Sequence, residues 1–276
     1  MTAVLCGAWP ALRASRVDLL PILKGGQQPE GSGRGVMGLR RGLVVAQVAL
    51  SAVLLVGAGL FVRTMSAAMA VEPGYAVDRV MLTTVDFSAT TLAPDERQAA
   101  GERILQGVRA LPGVEAAALG QIVPFSGAFV ARPAAPEGRQ VSESNEDQYL
   151  VPYSVVSDGY FGALGMPLRG REFGVTDTRT APRVVIINET LARLHWPGQD
   201  ALGKRLTLPL PSGAGPAYEV VGVVADGRYV SLTESQHPYF YLPWSQTPRP
   251  RLTLHVRGSG DPLALAPAVR DVIRAA

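Results

Sequence analysis

The sequence predicts an α+β domain carried on a single transmembrane helix. Three observations carry that prediction. An uncharged apolar run of 20 residues occupies 43–62. Beyond it, short β-branched runs alternate with helix signals, starting with a β-α-β pattern over 80–123. Basic residues gather before the apolar run and not after it.

The N-terminal segment comes first. Residues 1–42 hold Arg13, Arg16, Lys24, Arg34, Arg40 and Arg41 against Asp18 and Glu30, which leaves 20 basic and 21 acidic groups for the rest. The chain's net charge of +3 is therefore a property of this tail. A nucleic-acid partner would want a basic face on the folded part, and none is visible. The single cysteine, Cys6, excludes an internal disulfide and a thiolate metal site. It also follows too few residues to be a lipidated cysteine behind a signal peptide. The glycine run Gly31–Gly35 reads as a linker.

Residues 43–62 read LVVAQVALSAVLLVGAGLFV, with Gln47 the one strongly polar side chain. Twenty helical residues rise about 30 Å, the thickness of the hydrocarbon core. Five Leu, six Val and one Phe favour insertion by roughly 4–7 kcal/mol before costs. A buried helix of a soluble protein would rarely lack charge for so long, and no cleavage signal follows to make it a signal peptide. Only 18% of the chain is charged, below the ~25% of soluble domains, which agrees with a membrane segment. Arg63 and Arg79 are the only basic residues in the thirty after the run, so the N-terminus is expected in the cytoplasm and the main domain outside. The helix is expected to start between Val36 and Leu43 and run to about Ala70. Residues 63–77 would form a stalk, with Glu72-Pro73-Gly74 as the stop.

The outer elements follow in order. Val80–Phe87 reads as a strand. Pro94 opens a helix whose first turn holds Asp95 and Glu96, where the helix dipole favours acid, and Pro112-Gly113 ends it. Val114–Val123 is a second strand. Residues 126–148 are polar and read as a loop or irregular strands. Val151–Val156 is a strand, and Ser157–Leu164 a short helix capped by Ser157 or Asp158. Arg183–Asn188 is a buried strand and Glu189–His195 a helix. Arg205–Leu210, Tyr218–Ala225 and Tyr239–Leu242 are strands. Arg251–Val256 alternates as a strand, and Pro262–Ala276 is a helix.

Chemistry is sparse. Gly198–Arg205 matches the phosphate-loop pattern G-x-x-x-x-G-K through Lys204. The next residue is Arg205 where a magnesium-binding hydroxyl is needed, and the segment follows a helix and opens a strand, the reverse of a phosphate loop. It reads as a turn. His195, His237 and His255 lack metal-ligand spacing, and no G-x-S-x-G elbow accompanies them. Asn188-Glu189-Thr190 is a glycosylation sequon, but Asn188 stands where a helix cap is needed. Asp226-Gly227 is a turn pair. The reading is of no enzyme, with no catalytic, cofactor-binding or metal residue and no cofactor. A mechanical or binding role fits better.

Several segments together resemble one family. Residues 8–18 (AWPALRASRVD) and 20–26 (LPILKGG) look like the cytoplasmic exit of a permease bundle, and Arg40–Arg63 looks like the first helix of the half that follows. Val71–Tyr75 (VEPGY) looks like the turn where a stalk enters the periplasm. The matches at 155–173, 184–192, 197–206 and 218–226 are stronger. In this order they resemble the MacB/FtsX-like permeases of ABC transporters, of the duplicated type without a fused ATPase.

The resemblance implies a two-lobed extracytoplasmic domain over 78–276. A porter-like β-α-β lobe would comprise 78–125 and 250–276, and a β-rich lobe 126–248. Strands Val80–Phe87 and Arg251–Val256 would then share a sheet. It implies a permease subunit or fragment of an exporter in the bacterial inner membrane, transmitting ATPase-driven motion to the domain outside. Its partners would be the membrane, an ABC ATPase subunit and another permease half as a dimer, with no nucleic acid. The contrasting reading is a single-pass binding protein without transport. The family has more transmembrane helices than this chain, so the resemblance implies a piece of a longer permease. The porter-like lobe would stop one strand short, leaving a sheet edge unpaired and the closing helix poorly anchored.

Overall fold

The structure is a computed structural model that describes residues 32–69, 74, 79–139, 141, 149–210, 215–231 and 234–276. Cys6, the resemblance segments at 8–26, most of the 1–42 tail, Glu72, Pro73 and residues 142–148 lie outside the described residues. The chain divides into two units, Met1–Ser66 and Ala67–Ala276.

The described part of the first unit belongs to one helix, α1 (Ser32–Met69), whose last three residues fall in the second. It starts earlier than expected and takes in Ser32–Gly35, read from sequence as linker. Once the apolar run has nucleated the helix, each further residue adds a hydrogen bond, which offsets the glycine penalty. Gly38–Ser66 is long and apolar enough to cross a membrane, and none of its most apolar stretch is buried against protein. Leu55 is 74% exposed and Phe61 71%, so this helix is apolar all round with no protein core to cover it. Two of its hydroxyls are satisfied internally: Thr64 Oγ1 donates to Leu60 O and Ser66 Oγ to Arg63 O, each at 2.9 Å.

The second unit is an α+β domain built on an 11-stranded sheet. Its opening β-α-β is β1 (Val80–Asp86), α2 (Pro94–Arg109) and β2 (Val114–Gly120). Glu96 reaches back to accept from Ala93 N at 2.7 Å, and Pro94 spends no donor in the first turn. Ala100, Ile104, Leu105 and Val108 form the buried face of α2. The late strand β11 (Arg251–Gly258) lies between β1 and β2 and is antiparallel to both, with Val80 opposite Arg257 and Asp86 opposite Arg251. Strands 165 or more residues apart in sequence therefore share a sheet, as the resemblance implied. β1 is the end strand of the sheet among the described residues.

The remaining strands are β3 (Val130–Pro133), β4 (Ala135–Pro136), β5 (Leu150–Val156), β6 (Leu168–Gly170), β7 (Val184–Asn188), β8 (Arg205–Thr207), β9 (Ala217–Val224) and β10 (Phe240–Pro243). The sheet order is β1-β11-β2-β5-β10-β7-β9-β8-β4, with β3 on β5 and β6 on β9. A single partnership, Gly120 with Val156, joins β2 to β5. β10 runs parallel to β5, and β7 parallel to β9.

Two helices sit within this part: α3 (Tyr160–Leu164) and α4 (Glu189–His195). The expected caps of α3 are corrected. Its cap position is Gly159, at φ +71. Ser157 Oγ accepts from Leu119 N and donates to Asp158 O, and Asp158 accepts from Arg109. Both side chains are taken by other partners. β8 is also shorter than expected; it ends at Thr207, before Pro209, which has no N–H for a ladder.

The closing helical stretch divides into a 3₁₀ turn, Pro262–Leu265, and α5 (Ala266–Ala275). Pro267 lacks the N–H that would continue a single helix through the turn. The expectation of a poorly anchored closing helix is overturned. Val269 is 1% exposed, and Val272 lies against Gly107 of α2, where an added Cβ would come within 2.7 Å of it. Arg103 Nη2 donates to Ala276 O at 2.9 Å. The amphipathic face of α5 finds its anchor on α2.

Candidate functional site

A cleft of about 370 Å³ runs along α2. Gln98, Glu102, Gln106 and Arg109 line one wall at a spacing that places them on one helix face. The other wall comes from the segments around Phe173–Thr178 and Pro243–Ser245. With Val156, Ser157 and Asp158 also in the lining, it brings together residues from four parts of the sequence.

Trp244 closes the cleft floor. It is 4% exposed, and its backbone N donates to Val156 O at 2.8 Å. Its ring lies over Gly101 of α2, where a Cβ would come within 2.1 Å of Cη2. Glycine is needed there for the close approach. The indole Nε1 is buried with no hydrogen-bond partner among the described residues. At the far end Arg109 donates from Nε to Ala117 O at 2.9 Å, from Nη1 to Asp158 Oδ2 at 2.8 Å and from Nη2 to Asp158 O at 2.9 Å. One guanidinium thus ties α2 to β2 and to the segment after β5.

Asp177 orders the opposite wall. Its side chain is 5% exposed and takes both Arg171 Nη1 and Nη2 at 2.8 Å, with Gly174 N at 2.9 Å. Burial alone would raise its pKa, but the hydrogen bonds and charge of Arg171 and the Gly174 amide outweigh this and hold it below the usual carboxylate value. The charged pairs Arg109–Asp158 and Arg171–Asp177 thus brace the walls of this cleft.

The model of the MacB-like periplasmic core domain family matches residues 42–275. That span takes in the apolar helix from residue 42 on and the whole sheet. The chain belongs to this family. The MacB-like periplasmic core domain belongs to ABC transporter permeases of the MacB/FtsX type, so the family implied by the motifs at 155–226 is the one found. Among solved structures, the periplasmic region of MacB from Actinobacillus actinomycetemcomitans is similar at 14% identity, covering 72% of this chain and 84% of that one, with a TM-score of 0.46. The extracellular domain of the ABC-type transporter YknZ from Gram-positive bacteria is similar at 15% identity, covering 69% and 88%, with a TM-score of 0.41. No curated protein sequence matches the chain.

The motifs singled out by sequence take plain structural places in this MacB-like domain. Gly198–Arg205 is the turn between α4 and β8, with Gly198 and Gly203 at φ +71 and +74. Gly203 N donates to Val220 O and Lys204 N to Ala201 O, so neither amide is left for a phosphate. Lys204 Nζ donates to Gln199 at 3.0 Å. Asp200 accepts from Leu202 N and from Arg169, which hold its carboxyl below the ordinary value.

The three histidines stand on different elements, each against a backbone carbonyl. His195 at the end of α4 meets Ala134 O at 3.1 Å, His237 meets Ser235 O at 3.1 Å, and His255 in β11 meets Thr253 O at 3.0 Å. Asn188 is fully buried, and its Oδ1 accepts from Leu191 N. The sequon asparagine is a cap. Among the described residues no group of His, Cys, Asp and Glu could hold a metal ion. Sequence reasoning did not find the cleft. Gly101 and Trp244 carry no local motif, and only the fold sets one on the other.

Proposed function

We propose that this chain is a permease subunit, or part of one, of an ABC-type exporter. It passes ATPase-driven motion in the cytoplasm to a domain on the outer side of the bacterial inner membrane. The observation that carries the reading is the family match at 42–275, which includes an apolar helix and the sheet in one span. In this reading residues 1–42 are cytoplasmic, 43–62 cross the membrane and 63–77 form a stalk. The basic tail then lies on the side where basic residues are retained. The outer domain has a porter-like lobe, 78–125 with 250–276, and a β-rich lobe, 126–248. The single β2–β5 partnership and the cleft beside α2 lie along their boundary.

The partners are an ABC ATPase subunit and a second permease half. An ATPase is the source of energy that the family membership supports. The test is co-purification. The full chain, tagged and expressed with the ABC ATPases of its own genome, is extracted in mild detergent. One ATPase should be retained, and its rate of ATP hydrolysis should change when the chain is present. Retention of none would overturn the reading.

A further inference from the structure

Gly74 is the one described residue between the helix and β1 that precedes Arg79. It lies at φ +86, in the left-handed region that favours glycine. A Cβ on Gly74 would come within 2.7 Å of Asp226 O and 3.0 Å of Gly227 Cα. Its backbone is thus in close contact with the turn that follows β9.

That turn is held from behind. Asp226 has a side chain only 3% exposed. Its Oδ1 accepts from Thr190 N at 2.8 Å, and its Oδ2 accepts from Thr190 Oγ1 at 2.8 Å and from Arg193 Nη2 at 2.7 Å. Arg193 Nη2 also donates to Thr190 Oγ1 at 2.7 Å. Ala225 N donates to Pro167 O at 2.9 Å. The carboxylate therefore fixes the turn to the first turn of α4, and α4 follows directly on the buried strand β7. A displacement at Gly74 meets backbone atoms, which cannot rotate aside as a side chain can.

We propose that the Asp226–Gly227 turn is the seat of the segment that leaves the membrane helix, and that Asp226 relays the position of Gly74 to the start of α4. Gly74 and Asp226 are positioning residues. The proposal rests on the permease reading and deepens it, since it names where motion from the membrane enters the outer sheet.

The test is amide hydrogen exchange on the full chain in lipid nanodiscs. Gly74→Ala forces the seat apart, and exchange at the Thr190 amide should quicken by about tenfold, as expected when a protected local hydrogen bond is weakened. Ile104→Ala, which removes core packing from α2, is the control and should leave Thr190 exchange unchanged relative to global unfolding. Unchanged exchange at Thr190 in Gly74→Ala overturns the seat. Should Gly74→Ala fail to fold, Gly74→Asn, which tolerates the left-handed region better but still carries a Cβ, reads the same contact. It should quicken exchange at the Thr190 amide, and no change there overturns the proposal. The measurement needs no ATPase. Its failure removes the seat and leaves the permease reading, whereas failure to retain an ATPase leaves the seat standing.

Discussion

At the residue scale, the buried polar groups decide how the domain responds to solvent. His255 is 1% exposed in β11 and stands edge-on to the Tyr160 ring, with centroids 5.4 Å apart. Burial pushes its pKa from 6.5 down to about 4, against hydrogen bonds that work the other way. The imidazole is therefore neutral in the folded domain and protonates more readily in the unfolded chain. The unfolded state binds more protons, so stability is full above pH 6.5 and falls as pH drops towards 4. The loss from this residue approaches about 3 kcal/mol at the foot of that window. Burial lowers His195 as well, so it acts in the same direction. The expected outcome is a urea midpoint that falls between pH 6.5 and pH 4, and a markedly flatter profile in His255→Leu. An unaltered slope in that variant would show that His255 is not the group responsible.

At the element scale, α4 shows how one side chain orders three pieces of chain. Asn188 ends β7 and caps α4 through Leu191 N at 2.9 Å. Its Oδ1 also accepts from Tyr239 N at 2.9 Å, and its Nδ2 donates to His237 O at 2.8 Å. Asn188→Ala thus removes a cap and strands a buried amide and carbonyl. The expected cost is about 2–4 kcal/mol, above the ~1 kcal/mol of an exposed cap. Asn188→Asp keeps the acceptor and should lose less in the same denaturant titration. Equal losses would mean that the acceptor is not what matters. Much at this scale is legible in sequence. The limits of α4 are legible, because an asparagine cap precedes it and Trp196-Pro197-Gly198 stops it. α2 is legible from Pro94 and its apolar spacing. β6 is not: its three residues pair only with β9, and nothing in Leu168-Arg169-Gly170 indicates that partnership. The cap of α3 differs from the sequence expectation because Ser157 and Asp158 serve distant partners, which no local rule reveals. The cleft was illegible for the same reason, since Gly101 and Trp244 meet only through the fold.

At the scale of the whole molecule, the two units pose different physical problems. α1 carries apolar side chains on every face, and its length of 38 residues, about 57 Å, exceeds the ~30 Å of a hydrocarbon core. The second unit buries its apolar residues in two clusters, one under α2 and α5 and one around the tyrosines Tyr160, Tyr229, Tyr239 and Tyr241. Tyr241 donates its hydroxyl to Tyr229 at 2.9 Å within the second cluster, and burial raises the pKa of both. One unit therefore suits lipid and the other suits water. In the permease reading the apolar helix crosses the membrane with its basic end in the cytoplasm. The most direct measurement is a topology reporter fused after Gly74 in the full-length N-terminal context, using alkaline phosphatase and a cytoplasm-active fluorescent protein in parallel. The account predicts phosphatase activity and no fluorescence. Fluorescence without phosphatase activity would place the sheet in the cytoplasm and contradict it.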